Sequence, residues 1–147
     1  VGGPSRHFSW DTGSLRDSMT QLDDGSGFDV ITSRRTPPDT TDHLPPNSRI
    51  HEPSSVDRPR YEYFLTHAPF ILVTPESVSM LADAITAGAA VHTVPMEPNL
   101  KSKVARAVAQ LEATNMINAG QSSVPLNESK RVAEEILARF FPEHLGG

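Results

Sequence analysis

FILVTPESVSMLADAITAGAAVHTVP, the stretch from Phe70 to Pro95, decides the fold of this chain. It starts with an apolar run without alternation, Phe70 to Val73, which is typical of a strand covered on both faces. A polar loop follows, and then a helical segment whose apolar residues lie three and four apart. Gly88 ends this helix, and a second apolar run starts at Val91. The order strand, helix, strand predicts a βαβ unit with parallel strands.

The polar loop of this unit has the chemistry of a helix start. Thr74 followed by Pro75 fits a cap with proline in the first turn, and Ser77 is a second candidate cap. In an open α/β sheet, an anion usually binds where the carboxyl end of a strand meets the amino end of the next helix. This loop is therefore the first candidate binding site.

Composition places the chain among globular proteins and excludes several classes of function. Its 147 residues suffice for one domain with a core, and 37% of them are hydrophobic. The net charge of −5, without a long Lys/Arg cluster, argues against nucleic acid as a partner. No apolar run is long enough for a membrane span. Cysteine is absent, which rules out disulfides and thiolate sites, and no other metal-site signature is present.

Further periodic segments flank the βαβ unit. Strands alternating with helices predict an α/β fold, a three-layer Rossmann-like domain with a parallel sheet, as a single domain over residues 1–147. Before the βαβ unit, the sequence predicts a helix capped by Asp11 or Thr12 with Leu15, Met19 and Leu22 on its apolar face, and then a buried strand from Phe28 to Thr32. A short helix from Thr36 and Pro37 toward Leu44, a short strand Arg49–His51, and a helix opened by Asp57 or Arg58 with Tyr61, Phe64 and Leu65 facing the core are predicted next. After the unit, the sequence predicts a helix with Leu100, Val104, Val108 and Leu111, and a last helix capped by Asn127 with Val132, Ile136, Leu137 and Phe140.

The first residues read as a turn without the strand that should precede it. A Gly-Gly-Pro-Ser turn usually follows a strand, and Val1 is all that remains of one. We expect the chain to be the back part of a longer protein. A flexible start of no consequence is the alternative.

Three polar loops follow apolar strands, at residues 2–7, 32–36 and 74–80. In a parallel sheet they open on one edge, because each lies at a strand's carboxyl end. Together they offer small residues, hydroxyls, arginines and free helix amides, which suit a phosphate or diphosphate. The candidate phosphate- or nucleotide-binding residues are Gly2, Gly3, Ser5, Arg6, Ser33, Arg34, Thr74, Glu76, Ser77, Ser79, Met80 and Asp83. No catalytic residue is assigned.

The candidates on the central helix also have structural interpretations. Ser77 and Ser79 suit helix caps, and a cap hydroxyl can also bind phosphate, because both roles use the same helix end. Asp83 could accept hydrogen bonds from two ribose hydroxyls. Alternatively, it is an exposed acidic residue favoured by the helix dipole.

The charged candidates in the loops also have both a functional and a structural interpretation. Arg34 and Arg35 could bind phosphate or form a solvated pair of charges. Glu76 is more readily explained as a helix-start residue than as a catalytic one. His7 fits a surface histidine better than a phosphate donor or an acid. The other histidines have no ligand spacing and are treated as structural.

The three loops resemble consecutive signatures of one family. Residues 2–10 read GGPSRHFSW, residues 32–37 read TSRRTP and residues 73–80 read VTPESVSM. Their order and spacing are similar to those of the mitochondrial-fission ELM1-like family, whose bacterial members are often labelled nucleoside-diphosphate-sugar epimerase-like. The resemblance runs from Val1 to about Gly120.

The central unit also resembles the carboxy-terminal, donor-binding half of GT-B glycosyltransferases. The resemblance implies that the loop and first turns of the helix hold nucleotide phosphates, and that Asp83, five residues before Gly88, holds the ribose. It also implies that the first strand of this half lies upstream of Val1, so that its absence leaves a gap in the middle of the sheet. An amino-terminal half would supply the acceptor site and any base. Family members often carry Gly-Lys-Pro-Val after the helix, whereas Gly-Ala-Ala-Val at 88–91 lacks that positive charge.

The leading hypothesis is a nucleotide-diphosphate-sugar-binding domain related to GT-B glycosyltransferases. It would need neither a metal nor another cofactor, and it would stabilise the departing diphosphate. Whether it is an enzyme stays open, and this chain alone is not expected to turn over. The rivals are a non-catalytic interaction or scaffold protein with a vestigial site, and a nucleotide-binding regulatory domain. The epimerase label fits poorly, because neither Tyr61 nor Tyr63 has a lysine four residues on.

The same resemblance implies a bacterial cytoplasmic protein. Attachment to a membrane surface and assembly into a homodimer are left open. The expected partners are a nucleotide-sugar and the missing amino-terminal half.

Overall fold

A computed structural model describes residues 1–42, 44–118, 135, 136 and 138. Helices and strands alternate through most of this range. The elements are α1 (Thr12–Leu22), β1 (Asp29–Ile31), β2 (Arg49–His51), α2 (Arg58–His67), β3 (Ile71–Val73), α3 (Val78–Thr86), β4 (Val91–Thr93) and α4 (Lys103–Ala113), with short 3₁₀ turns at Pro38–Thr41 and Pro53–Ser55. The chain is therefore an α/β protein, as the sequence predicts.

The central stretch forms the predicted βαβ unit. β3 and β4 are parallel, with Leu72 opposite His92, and α3 connects them. β1 and β2 are also parallel, with Val30 opposite Ile50. Within the described residues, these pairs form two separate two-stranded sheets, because β1 is not paired with β3.

Two core clusters show that helices cover both faces of the strands. Leu72 packs in a cluster with Leu15 and Met19 of α1, whereas its neighbours Ile71 and Val73 pack in a cluster with α3 and α4. Because successive strand side chains point to opposite faces, α1 lies on one face and α3 and α4 lie on the other. The arrangement is the predicted three-layer, Rossmann-like one.

Acidic and hydroxyl side chains cap the amino-terminal ends of three helices. Asp11 accepts a hydrogen bond from the amide of Ser14 at the start of α1 (3.0 Å), and Asp57 accepts one from the amide of Arg60 at the start of α2 (3.0 Å). Ser102 caps α4 in the same way. The predicted caps at Asp11 and Asp57 are confirmed.

Some predicted bounds are wrong, and one prediction lies partly outside the described residues. The helix predicted from Thr36 and Pro37 toward Leu44 is a single 3₁₀ turn, because prolines and hydroxyl side chains leave no apolar face to bury. The last helix, with its cap at Asn127, lies outside the described residues except at 135, 136 and 138. Ile136 is buried against the α3–α4 cluster.

The helices α1 to α4 of the described part have 9 to 11 residues each. None of them is both long and apolar enough to span a bilayer.

Candidate functional site

Side-chain hydrogen bonds tie the three polar loops together at the carboxyl ends of β1 and β3. The amide of Gly2 donates to the hydroxyl of Thr74 (2.8 Å), which joins the first loop to the third. The hydroxyl of Thr36 donates to the carbonyl of Gly2 (2.7 Å), which joins the second loop to the first. The same hydroxyl accepts from the amide of Ser33 (2.9 Å). The predicted convergence of the loops is confirmed.

Gly2 and Gly3 permit this close approach. A Cβ on Gly2 would lie 2.2 Å from the Oε2 atom of Glu76, and one on Gly3 would lie 2.0 Å from the carbonyl oxygen of Arg35. Both distances are far inside van der Waals contact. At Gly3 the clash is with backbone, so only glycine fits there, whereas at Gly2 the side-chain ends of Glu76 and Ser77 would have to shift. The space that the sequence analysis assigned to a ligand beside these two glycines is thus occupied by the neighbouring loops.

A buried carboxylate lies at the centre of the joined loops. The Glu76 side chain is 1% exposed, and its Oε2 atom accepts hydrogen bonds from the guanidinium of Arg35 (3.2 Å) and the hydroxyl of Ser77 (2.7 Å). Its Oε1 atom is buried and has no hydrogen-bond partner within the described part of the chain. A buried charge is stable only when it is paired, and the half-exposed Arg35 of the second loop supplies the positive charge that pairs with Glu76.

The start of α3 lacks the predicted side-chain cap. Ser77 is the residue before the helix, but its hydroxyl donates to Glu76 instead of accepting from a helix amide. The hydroxyl of Thr74 accepts from Gly2. The predicted caps at Thr74 and Ser77 are wrong, because the buried carboxylate and the first loop bind these hydroxyls. The backbone amides in the first turn of α3 therefore have no side-chain cap as hydrogen-bond acceptor.

The remaining candidates border this centre. Arg6, Arg34 and Ser79 are exposed, and Ser5, Ser33 and Met80 are partly buried. Neither Arg6 nor Arg34 forms an ion pair within the residues that the structure describes. Uncovered helix amides and unpaired arginines favour an anion electrostatically. The negative charge of the buried Glu76 carboxylate disfavours the binding of an anion.

His7 lies beside the loops and contacts the residue that caps α4. Its Nδ1 atom lies 2.6 Å from the hydroxyl of Ser102, and that hydroxyl accepts from the amide of Ala105 (3.2 Å). The Ser102 hydroxyl donates to Nδ1 in one tautomer of His7 and accepts from Nδ1–H in the other. Burial, helped by the charges of Arg6 and Arg35, lowers the pKa of His7 below its ordinary value. Neutral His7 thus offers an N–H donor.

Asp83 is bonded to α2. Its Oδ2 atom accepts a hydrogen bond from the hydroxyl of Tyr61 (3.1 Å). Burial, and then the charge of Asp83, raise the pKa of Tyr61 well above its ordinary value, so the phenol stays protonated and donates. The sequence assigned Tyr61 only to the core, and nothing in its spacing indicates this partner.

Ser102 is the other residue of the site that the sequence analysis missed. It lies far along the chain from His7, and its local pattern indicates only the start of a helix. The remaining histidines that can be described contact neighbouring side chains: His51 bonds Asp29 (3.0 Å), His67 stacks on Tyr63, and His92 lies edge to face with Phe70. His43 and His144 lie outside the described residues. Among the described residues, no group of three or more His, Cys, Asp or Glu is arranged to hold a metal ion.

Comparison with known proteins supports one family. The family model described as mitochondrial fission ELM1 matches residues 1–140. No curated protein and no solved structure gives a significant match. The similarity to GT-B glycosyltransferases is not tested by these comparisons and stays a prediction. Since the family model covers almost the whole chain, the chain belongs to the mitochondrial fission ELM1 family.

Proposed function

We propose that this chain binds the diphosphate of a nucleotide-diphosphate sugar at the joined loops. The observation that carries the proposal is the convergence of three loops, through Gly2, Thr36 and Thr74, beside the uncovered start of α3. Helix amides at the carboxyl edge of parallel strands are a common way to hold phosphates. In this proposal, the chain is the donor-binding half of a GT-B-like protein.

The proposal assigns separate roles to the arginines. Arg6 and Arg34 are exposed and have no ion-pair partner in the described chain, so they are free to contact phosphate oxygens. Arg35 instead neutralises the buried Glu76 and fixes the second loop against the third. The diphosphate would lie above Glu76, on the solvent side, at the amides of Ser79 and Met80.

The chemistry that follows is stabilisation of a leaving group. Negative charge develops on the diphosphate when its bond to the sugar breaks, and helix amides and arginines lower the free energy of that charge. In this proposal, neutral His7 takes the tautomer with its hydrogen on Nε2 and adds one further donor near Arg6 and Arg35. We propose binding of the donor as the role of this chain, without turnover by the chain alone.

Isothermal titration calorimetry tests the proposal. UDP, GDP, UDP-N-acetylglucosamine and a GDP-sugar are titrated into the wild-type chain and into Arg34→Gln and Ser79→Ala. The control is Arg49→Gln, which changes an exposed arginine at the opposite, amino-terminal end of β2. We expect at least one nucleotide-sugar to bind, with affinity lowered about tenfold or more in Arg34→Gln, since a charge-assisted hydrogen bond contributes about 1.5–3 kcal/mol. Arg49→Gln should bind like the wild type.

A second candidate function is supported by the family itself, whose description is mitochondrial fission. On this alternative, the chain is an interaction or scaffold protein, and the buried Glu76 marks a site that has lost its anion. Absence of binding by all four nucleotides would favour this alternative. Equal binding of nucleotides with and without a sugar would instead indicate a regulatory nucleotide-binding domain.

A further inference from the structure

The loop that follows β4 ends in a tight turn fixed by hydrogen bonds. The amide of Ser102 donates to the carbonyl of Asn99 (2.9 Å), which makes Leu100 and Lys101 the two central residues of this turn. The backbone amide and the side chain of Asn99 each donate to a carbonyl of the first loop, at 2.9 Å. Backbone contacts and the Asn99 side chain therefore fix the turn, and the side chain of Leu100 is not needed for it.

Leu100 is the most exposed large apolar side chain among the residues that the structure describes. It is 81% exposed, whereas Tyr63 of α2 is 57% and Ile50 of β2 is 47% exposed. A single exposed leucine is common on protein surfaces and has no meaning by itself. The surroundings of Leu100 therefore decide whether it has a role.

Exposed cations surround Leu100. Lys101 is its neighbour in the turn, and Lys103 directly follows the turn as the first residue of α4. Arg6 lies beside the turn, because its carbonyl accepts from the Asn99 side chain. None of the three forms an ion pair within the described part of the chain. We call Leu100, Lys101 and Lys103, with Arg6 beside them, the basic tip.

The negative charge of the chain does not cancel the positive charge of the basic tip. The net charge of the whole chain is −5. Exposed charges more than about 10 Å apart are largely screened from each other at about 0.1 M salt, so distant carboxylates have little effect at the tip. Glu97, the acidic residue nearest to Leu100 in the sequence, lines a groove along α4 that Arg106 also lines. A surface that approaches the tip therefore meets mainly positive charge.

The size of the basic tip fits a lipid surface better than a protein surface. A stable protein interface buries about 800 Å² on each partner, and one protruding side chain supplies only a small part of that area. A contact with a membrane surface needs an apolar side chain in the headgroup layer and cations that reach anionic headgroups. Lysine suits this contact, because its apolar stem can lie in the headgroup layer while its ammonium group stays in water.

We propose that the basic tip binds an anionic lipid surface, with Leu100 in the headgroup layer and Lys101 and Lys103 against anionic headgroups. The association is reversible, since each cation raises the partition coefficient only about fivefold and one buried leucine about tenfold. This inference does not depend on nucleotide binding, and Arg6 is the one residue that both proposals use.

Co-sedimentation with lipid vesicles tests the proposal. The wild-type chain, Leu100→Thr and the double variant Lys101→Gln/Lys103→Gln are each mixed with vesicles of equal parts phosphatidylcholine and phosphatidylglycerol, and with vesicles of phosphatidylcholine alone. We expect the wild type to bind the anionic vesicles and not the neutral ones. Its partition coefficient should fall about tenfold in Leu100→Thr and about twentyfold in the double variant.

Two control variants make the same kinds of change elsewhere on the surface. Ile50→Thr changes an exposed apolar residue of β2, and Arg49→Gln/Arg60→Gln removes two exposed positive charges. Both controls should bind the anionic vesicles as the wild type does. Circular dichroism checks that every variant is folded before its binding is compared.

A fluorescent label measures the insertion of the tip itself. The chain has no cysteine, so Leu100→Cys and Ile50→Cys each provide a single site for an environment-sensitive dye. On anionic vesicles, the emission of the dye at position 100 should shift to the blue, and that of the dye at position 50 should not.

Three results would overturn the proposal. The first is that the wild type does not bind the anionic vesicles, even if inorganic phosphate binds to the tip. The second is that Leu100→Thr and the double lysine variant bind the vesicles as the wild type does. The third is self-association of the wild type, detected by light scattering and lost in Leu100→Thr, without binding to vesicles, because the tip would then contact a second copy of the chain.

Discussion

Replacing Gly3 by alanine tests whether the first and second loops are packed as closely as the structure has them. The new Cβ would lie 2.0 Å from the carbonyl oxygen of Arg35, about 1.4 Å short of ordinary contact at 3.4 Å. The clash involves backbone, not the free end of a side chain, so the second loop itself must move. Thr36, the next residue, would then lose its bond to Gly2.

The magnitude follows from these contacts. Overpacking of this kind costs about 1–3 kcal/mol, and a lost hydrogen bond adds about 1 kcal/mol. The lower entropy of the unfolded alanine variant returns about 0.5 kcal/mol. We expect Gly3→Ala to lower the free energy of unfolding by about 1.5–3.5 kcal/mol, and the thermal midpoint by about 3–14 °C.

Urea unfolding followed by circular dichroism measures this change, with Gly13→Ala as the control. Gly13 lies in the first turn of α1, where a Cβ would meet only the Oδ1 atom of Asp11, at 3.3 Å. Gly13→Ala should change stability by less than about 1 kcal/mol. A free energy of unfolding for Gly3→Ala within about 0.5 kcal/mol of the wild type would refute the reasoning.

Two further predictions concern the partners of His7 and Tyr61. The pKa of His7, measured by NMR, should lie below its ordinary value, so that protonation of His7 destabilises the fold as the pH falls below about 6.5. Arg6→Gln should raise that pKa, because it removes a positive charge beside the ring. An unchanged pKa would contradict the contribution assigned to Arg6. Tyr61→Phe should lower the free energy of unfolding by about 1 kcal/mol, because Asp83 loses its hydrogen-bond donor. The control Tyr63→Phe should have almost no effect, since Tyr63 is 57% exposed. Equal losses for the two variants in urea unfolding would contradict this prediction.

The sequence predicted the βαβ unit and the caps of α1 and α2, where the signal is local. The apolar run before Thr74 and the spacing along α3 depend on neighbours in the chain, and so do the caps at Asp11 and Asp57. The convergence of the loops could be predicted as well, because strand direction alone brings them to one edge.

The details of the site depend on contacts between distant residues, which spacing does not encode. Ser77 looks like a cap in sequence, yet its hydroxyl turns to the buried Glu76. Glu76 is buried because Arg35 reaches it from another loop, 41 residues away. Gly2 and Gly3 looked like room for a ligand, whereas they make room for these neighbours.

An NMR titration of the ¹⁵N-labelled chain with a nucleotide-diphosphate sugar tests the central claim most directly. The account predicts that saturable shifts will concentrate on the amides of the joined loops, at Gly2, Gly3, Ser33, Arg34, Ser79 and Met80. Shifts confined to residues outside these loops, or no shifts for UDP- and GDP-sugars at millimolar concentration, would contradict it.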